Sequence, residues 1–156
     1  MIFERGVYRI EHDPERTGGF YAQAPDTLCD CAGCRNFRAA VSRMSEELRS
    51  FLEQFGIDPA KPAETTAYNA LKDGQTWYHA WFHICGEILE GTEPYRQTGP
   101  KHFEMKAEDQ IPLGEDSDAW FKSDCALLDK DFPRPAMELN VTFYLPWVLE
   151  EKNPYL

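Results

Sequence analysis

Between residues 137 and 145 the chain alternates without a break. Met137, Leu139, Val141, Phe143 and Leu145 fall on one parity, and Glu138, Asn140, Thr142 and Tyr144 on the other. Successive side chains of a β-strand point to opposite faces, so this run predicts a strand with one face in a core and one wetter face. A strand so apolar on one side needs neighbours beside it and a second layer over it.

Shorter runs supply the neighbours. TWYHAWFHICGEIL (76–89) is dense in aromatic residues, which favours strand over helix. As a strand it sends Tyr78, Ala80, Phe82, Ile84 and Ile88 to a core face, and Trp77, His79, Trp81, His83, Cys85 and Glu87 to the other. ETTAYNAL (64–71) precedes it across a turn at Lys72-Asp73-Gly74, a hairpin pattern. HFEMKA (102–107) and AWFKSDCALL (119–128) are further strand candidates, and the Gly-, Pro- and acid-rich stretches 91–100, 111–118 and 129–135 read as linkers. Residues 5–24 read as another hairpin, with RGVYRIEH and GFYAQA flanking the turn formers of 13–19.

One segment has helical period instead. From Cys34 to Phe55 the apolar residues Phe37, Val41, Met44, Leu48, Phe51 and Phe55 follow the three-and-four spacing of one helix face, and Gly56 with Pro59 ends it. Ser45 ahead of Glu46 and Glu47 is also a helix start, so one bent helix and two short ones both fit. An early helical segment followed by strands without βαβ alternation gives an α+β fold: the helical segment packed on a mostly antiparallel sheet, in a single domain over residues 1–156.

Charge narrows the partners. The formal net charge is −11, which repels nucleic-acid phosphates and anionic lipid, so neither nucleic acid nor membrane is expected. The acids are scattered, as at Glu46-Glu47, Glu108-Asp109, Glu115-Asp116 and Glu150-Glu151, which suits a solvated surface or a face for a basic protein partner. No apolar run resembles a signal peptide or a membrane span, so a cytoplasmic setting is expected, in which the sequon at Asn140 carries no sugar. Five cysteines in a reducing compartment then read as free thiols or metal ligands.

The constellation with possible chemistry is Cys29-Asp30-Cys31-Ala32-Gly33-Cys34, directly before the helical segment. Zinc takes four ligands in a tetrahedron, and a Cys-x-x-Cys turn lets thiolates converge on one ion. Cys29, Cys31 and Cys34 are three candidates; Cys85, Cys125, His12, His79, His83 and His102 are the choices for a fourth. Two other readings stand beside the metal site. Cys34 is in phase with Phe37 and Val41 and fits as a small core residue, and Cys31 at a helix N-terminus fits a redox or nucleophilic thiol.

The row Trp77, His79, Trp81, His83, Cys85 and Glu87 is a candidate ligand face, or a sheet face half covered by a loop or a partner. If the segment were helical, His79 and His83 would stack one turn apart, which also suits a metal. The chain contains no dinucleotide-binding or phosphate-loop glycine pattern, no serine-hydrolase elbow and no H-E-x-x-H. GEDSD (114–118) lacks the glycine and distal glutamate of a calcium loop.

The run Cys31-Ala32-Gly33-Cys34-Arg35-Asn36-Phe37, with Phe55-Gly56-Ile57-Asp58, Lys61-Pro62-Ala63-Glu64 and Pro146-Trp147-Val148-Leu149, resembles a family of small bacterial proteins with a CxxCRNF-type motif and no assigned activity. The likeness spans most of the chain and implies a bacterial, cytosolic setting. The sequence as a whole favours a non-enzymatic binding or interaction protein with a structural zinc at the cysteine cluster. The alternative is a thiol-based or metal-dependent enzyme using Cys31 or the His79 and His83 face, and a homodimer through the aromatic row is a third reading.

Overall fold

The computed structural model describes residues 1–69, 74–91 and 94–156. The strands are β1 (Ile2–Arg5), β2 (Tyr8–His12), β3 (Glu64–Tyr68), β4 (Gln75–Glu90), β5 (Tyr95–Gly99), β6 (His102–Met105), β7 (Ile111–Pro112), β8 (Asp118–Lys122) and β9 (Ala136–Pro146). The helices are α1 (Pro14–Gln23), α2 (Ala32–Ala40) and α3 (Glu46–Glu53), with a 3-10 turn at Val41–Arg43 between the last two. The main sheet runs β1-β2-β4-β9-β8-β7 with β3 also on β4, every pairing antiparallel. The architecture is the expected α+β. No helix among the described residues is long and apolar enough to cross a membrane.

β9 is the strand its alternation demands. Met137, Leu139, Val141, Phe143 and Leu145 are all buried, and they meet Tyr78, Ala80, Phe82 and Ile84 of β4 in a common core face. The helical segment divides at the 3-10 turn, so the two-helix option is realised. Ser45 caps α3, its side chain accepting from the Leu48 N–H at 3.2 Å. Phe37 packs edge-on to Tyr78, and Phe55 to Phe121, which fixes both helices over the core face.

The hairpin expected over 5–24 is corrected. Its first half is a hairpin by itself, turning at Gly6 and Val7 so that Arg5 faces Tyr8. Its second half is α1, not a strand. Asp13 accepts from the Arg16 N–H at 3.0 Å, Pro14 occupies the first turn and Glu15 sits at the positive end of the dipole. These residues, taken for turn formers, are a helix start. The linker 91–100 is likewise corrected, since Tyr95–Gly99 forms β5 against β6. Both strands of that hairpin are largely exposed, so neither carries the apolar alternation by which strands are read. The 111–118 linker contains the two-residue β7. Within AWFKSDCALL the strand β8 ends at Lys122. Of the turn at Lys72-Asp73-Gly74, the first two residues lie outside the described residues.

β4 is long enough that one of its edges serves two strands. β3 pairs along Trp77 to Trp81 and β2 along Gly86 to Glu90, leaving His83 and Cys85 between them without a ladder partner on that side. Unpaired buried backbone groups are costly, and α1 satisfies them. The Tyr21 hydroxyl accepts from the His83 N–H at 3.0 Å and donates to the His83 carbonyl at 3.1 Å. Thr17 Oγ1 accepts from the Cys85 N–H at 2.9 Å, and the Asp13 N–H donates to the Cys85 carbonyl at 2.9 Å. Burial pushes the Tyr21 pKa upward, which keeps its donated proton in place.

Candidate metal centre

Cys31 is the N-cap of α2. Its backbone is extended, and its sulfur accepts from the Cys34 N–H at 3.4 Å, the place an oxygen usually takes. This cap turns Cys31 toward Cys34, whose Sγ lies 3.6 Å from Cys29 Sγ. All three sulfurs fall within 4.8 Å of one another. Thiolates around a tetrahedral zinc, at about 2.3 Å from the ion, are about 3.8 Å apart. The cluster needs only small adjustments to reach that spacing.

The surrounding loop is held by two arginines from α2. Arg38 donates to the carbonyls of Leu28 and Cys29 and to the Asp26 carboxylate, holding the Asp26 carboxyl below its usual range. Arg35 donates to the Asp30 carbonyl at 3.1 Å and pairs with Glu151 near the C-terminus. Beneath the cluster, Cys34 is buried with its sulfur 3.5 Å from Thr65 Oγ1. A Cβ on Gly33 would lie 3.0 Å from both Ala67 Cβ and Tyr155 Oη, so glycine admits this close approach.

The thiols differ in acidity. Partial burial disfavours the Cys31 thiolate, but the Cys34 amide, the neighbouring thiols of Cys29 and Cys34 and the Gly33 amide outweigh it, and its pKa is lowered. Burial pushes Cys34 up to about 12, reinforced by Cys31 and Cys29 and only partly opposed by Thr65. Cys29 and Cys31 are exposed, so the outer side of the cluster faces solvent. Among the described residues no histidine, carboxylate or further cysteine joins the three. The six candidates for a fourth ligand lie elsewhere: His12 ends β2 and Cys85 lies on β4 against α1, both buried, Cys125 follows β8, His102 is on β6, and His79 and His83 are on the second face of the sheet.

That second face is less wet than the alternation suggests. Glu138 is 2% and Asn140 3% exposed. His79 Nε2 lies 2.8 Å from Asn140 Oδ1, and Asn140 donates to Glu138 Oε2 at 2.9 Å. Glu138 Oε1 accepts from the Ala126 N–H, with Lys122 Nζ 3.9 Å from the other oxygen. His83 Nε2 is 3.8 Å from Glu138, too far for a hydrogen bond, and has no other partner among the described residues. Burial disfavours the Glu138 anion, but His83, Ala126, Asn140 and Lys122 together outweigh it and lower its pKa.

The row Trp77 to Glu87 is divided among three surroundings. Trp77 and His79 border a cavity of about 400 Å³ beneath β5 and β6. Trp81 donates from Nε1 to the Ala126 carbonyl, and His83 borders a cavity of about 280 Å³ with Tyr21 and Lys61. Cys85 and Glu87 open instead toward Arg16 and Pro135. Arg38, Thr65, Asp118 and Trp120, all close to these sites, carry no motif in the sequence. Only the fold reveals them.

No family model, curated protein or solved structure matches the chain.

A buried histidine, His12, and a half-buried one, His79, set the response to acid. Burial lowers the pKa of His79, and Lys122 adds to this, against opposing effects of Asn140 and Glu138. Burial and the N-terminal ammonium lower His12, with Asp13 opposing. Below the ordinary value of 6.5 the unfolded chain binds these protons and the folded one resists them, so stability falls as pH drops through that value. Asp118, raised by burial from 3.8, acts in the opposite sense but at lower pH. The urea midpoint is therefore expected to fall between about pH 7 and about pH 5. His79→Gln, which cannot titrate, should flatten the slope; an unchanged slope would refute the assignment.

Proposed function

We propose that this chain is a metal-binding protein of the non-enzymatic, interaction class, in which Cys29, Cys31 and Cys34 hold a zinc ion. The observation that carries this reading is the convergence of three sulfurs within 4.8 Å at the start of α2. Thiolates select zinc among the common divalent ions, and the ion's charge stabilises all three in the anionic form. The site is built to fasten: the ion would join the loop before α2 to the helix, which Arg35 and Asn36 already tie to the C-terminal segment. The exposed side leaves a fourth position to water or to a donor from a bound protein. A net charge of −11 favours a basic partner there.

The test is elemental mass spectrometry of protein purified without added metal or chelator. About one zinc per chain is expected in the wild type and in Cys125→Ser, and its loss in Cys31→Ser. Wild-type protein that retains no zinc after loading and dialysis would overturn the reading.

A further inference from the structure

The cavity beneath β5 and β6 has a composition that the metal site does not explain. Its floor is the second face of the sheet and its roof is the β5–β6 hairpin with the 3-10 turn Ala107–Asp109. Aromatic rings enter from four strands: Tyr68 from β3, Trp77 from β4, Tyr95 from β5 and Trp120 from β8. The Tyr68 and Trp77 rings meet at 5.4 Å with 47° between their planes, a corner rather than a stack. Asp118 stands among them, opposite Thr142 on β9, and Thr142 in turn is opposite His79 on β4.

The electrostatics of this cavity are one-sided. Among the described residues no lysine or arginine lines it. Two nearby cations are committed elsewhere, Lys106 to Asp109 at 2.8 Å and Lys122 toward Glu138. Among the described residues Asp118 forms no ion pair, and burial is the one influence on its carboxyl, raising its pKa. Burial holds His79 toward its neutral form, which weakens it as a counter-charge. A carboxylate with no cation beside it among the described residues, half-buried in a cavity walled by aromatic residues, makes a negative potential that a cation relieves. A cation with an apolar surface suits these walls better than a strongly hydrated ammonium or metal ion.

We propose that this cavity binds a small organic cation of the alkylammonium class, seated against Tyr68, Trp77 and Tyr95 with Asp118 as its counter-charge. The volume of about 400 Å³ admits a trimethylammonium group with a short tail. The site shares no residue with the cysteine cluster and stands or falls independently of zinc.

Titration of the full chain with choline, followed by tryptophan fluorescence and calorimetry, tests this against 3,3-dimethylbutanol, the uncharged analogue of the same shape. Choline is expected to saturate with a Kd of about 1 mM or below, and the alcohol to bind at least about tenfold more weakly. Asp118→Asn should weaken choline by at least about tenfold and leave the alcohol unchanged. This variant is expected to melt no lower than the wild type, because it removes a charge that folding penalises, so lost binding is not lost folding. Equal binding of choline and the alcohol, unchanged choline binding in Asp118→Asn, or no saturation by about 10 mM would each overturn the proposal. A trimethyl-lysine peptide run in parallel separates two sources of the same chemistry. Tighter binding of the peptide assigns a protein side chain, and tighter binding of choline a free solute.

Discussion

Asn36→Ala is expected to lower the free energy of unfolding by about 3 kcal/mol, read as a fall in the urea midpoint at constant slope. Asn36 is fully buried and its amide is shared among three elements. Nδ2 donates to Tyr78 Oη at 3.1 Å and to the Pro146 carbonyl at 3.2 Å, while Oδ1 accepts from the Val148 N–H at 2.8 Å. Tyr78 Oη passes the network on by donating to the Gly33 carbonyl at 2.8 Å. Alanine leaves the Val148 N–H and the Pro146 carbonyl unpaired, each at about 1–3 kcal/mol, and opens a small void. Against a typical total of about 5–15 kcal/mol this is a large fraction. Asn36→Asp should be no milder, since it loses the donors and buries a charge. A loss under about 1 kcal/mol would show that the C-terminal segment is held by other contacts.

Gly86→Ala should be at least as damaging, at about 3 kcal/mol or more, or should prevent folding altogether. Gly86 lies where β4 changes partners from β3 to β2, pairing with His12 at φ +151° and donating its N–H to the Pro135 carbonyl at 2.9 Å. A Cβ there would lie 2.1 Å from the Glu11 carbonyl oxygen and 2.8 Å from His12 Cα. Both are backbone atoms, so no side-chain rotation relieves the contact, and β2 must move. Hydrogen exchange should therefore show lost protection in β1 and β2 with β8 and β9 spared. Gly74→Ala is the control, because its φ of +69° is also in the region that favours glycine but no described residue lies within 4 Å of the added carbon. Backbone strain alone predicts about 1 kcal/mol there. Equal losses at the two sites would mean that strain, not the clash with β2, governs Gly86.

The parts of this fold legible in the sequence are those with a clean period. Residues 137–145 alternate and become β9, and Phe37 to Phe55 keep helical spacing and become α2 and α3. The division of that segment is written in Ser45, a cap residue. GFYAQA is too short to show either period, and α1 is decided by Asp13-Pro14-Glu15 ahead of it and by the vacant edge of β4 that it fills.

The candidate sites divide in the same way. Cys29, Cys31 and Cys34 are adjacent in sequence, so local spacing is enough to bring their sulfurs together. Asp118 and Trp120 join Trp77 and His79 only because β9 lies between β4 and β8. Strand order depends on long-range pairing, which no local pattern encodes.

The two hydroxyls of α1 also close an edge that would otherwise be open to another chain. If α1 lifts away, His83 and Cys85 present free amides and carbonyls on a long, aromatic strand. Such a strand recruits a second chain as readily as its own. By occupying those backbone groups Tyr21 and Thr17 deny the edge to a second strand, for as long as a ten-residue helix stays docked.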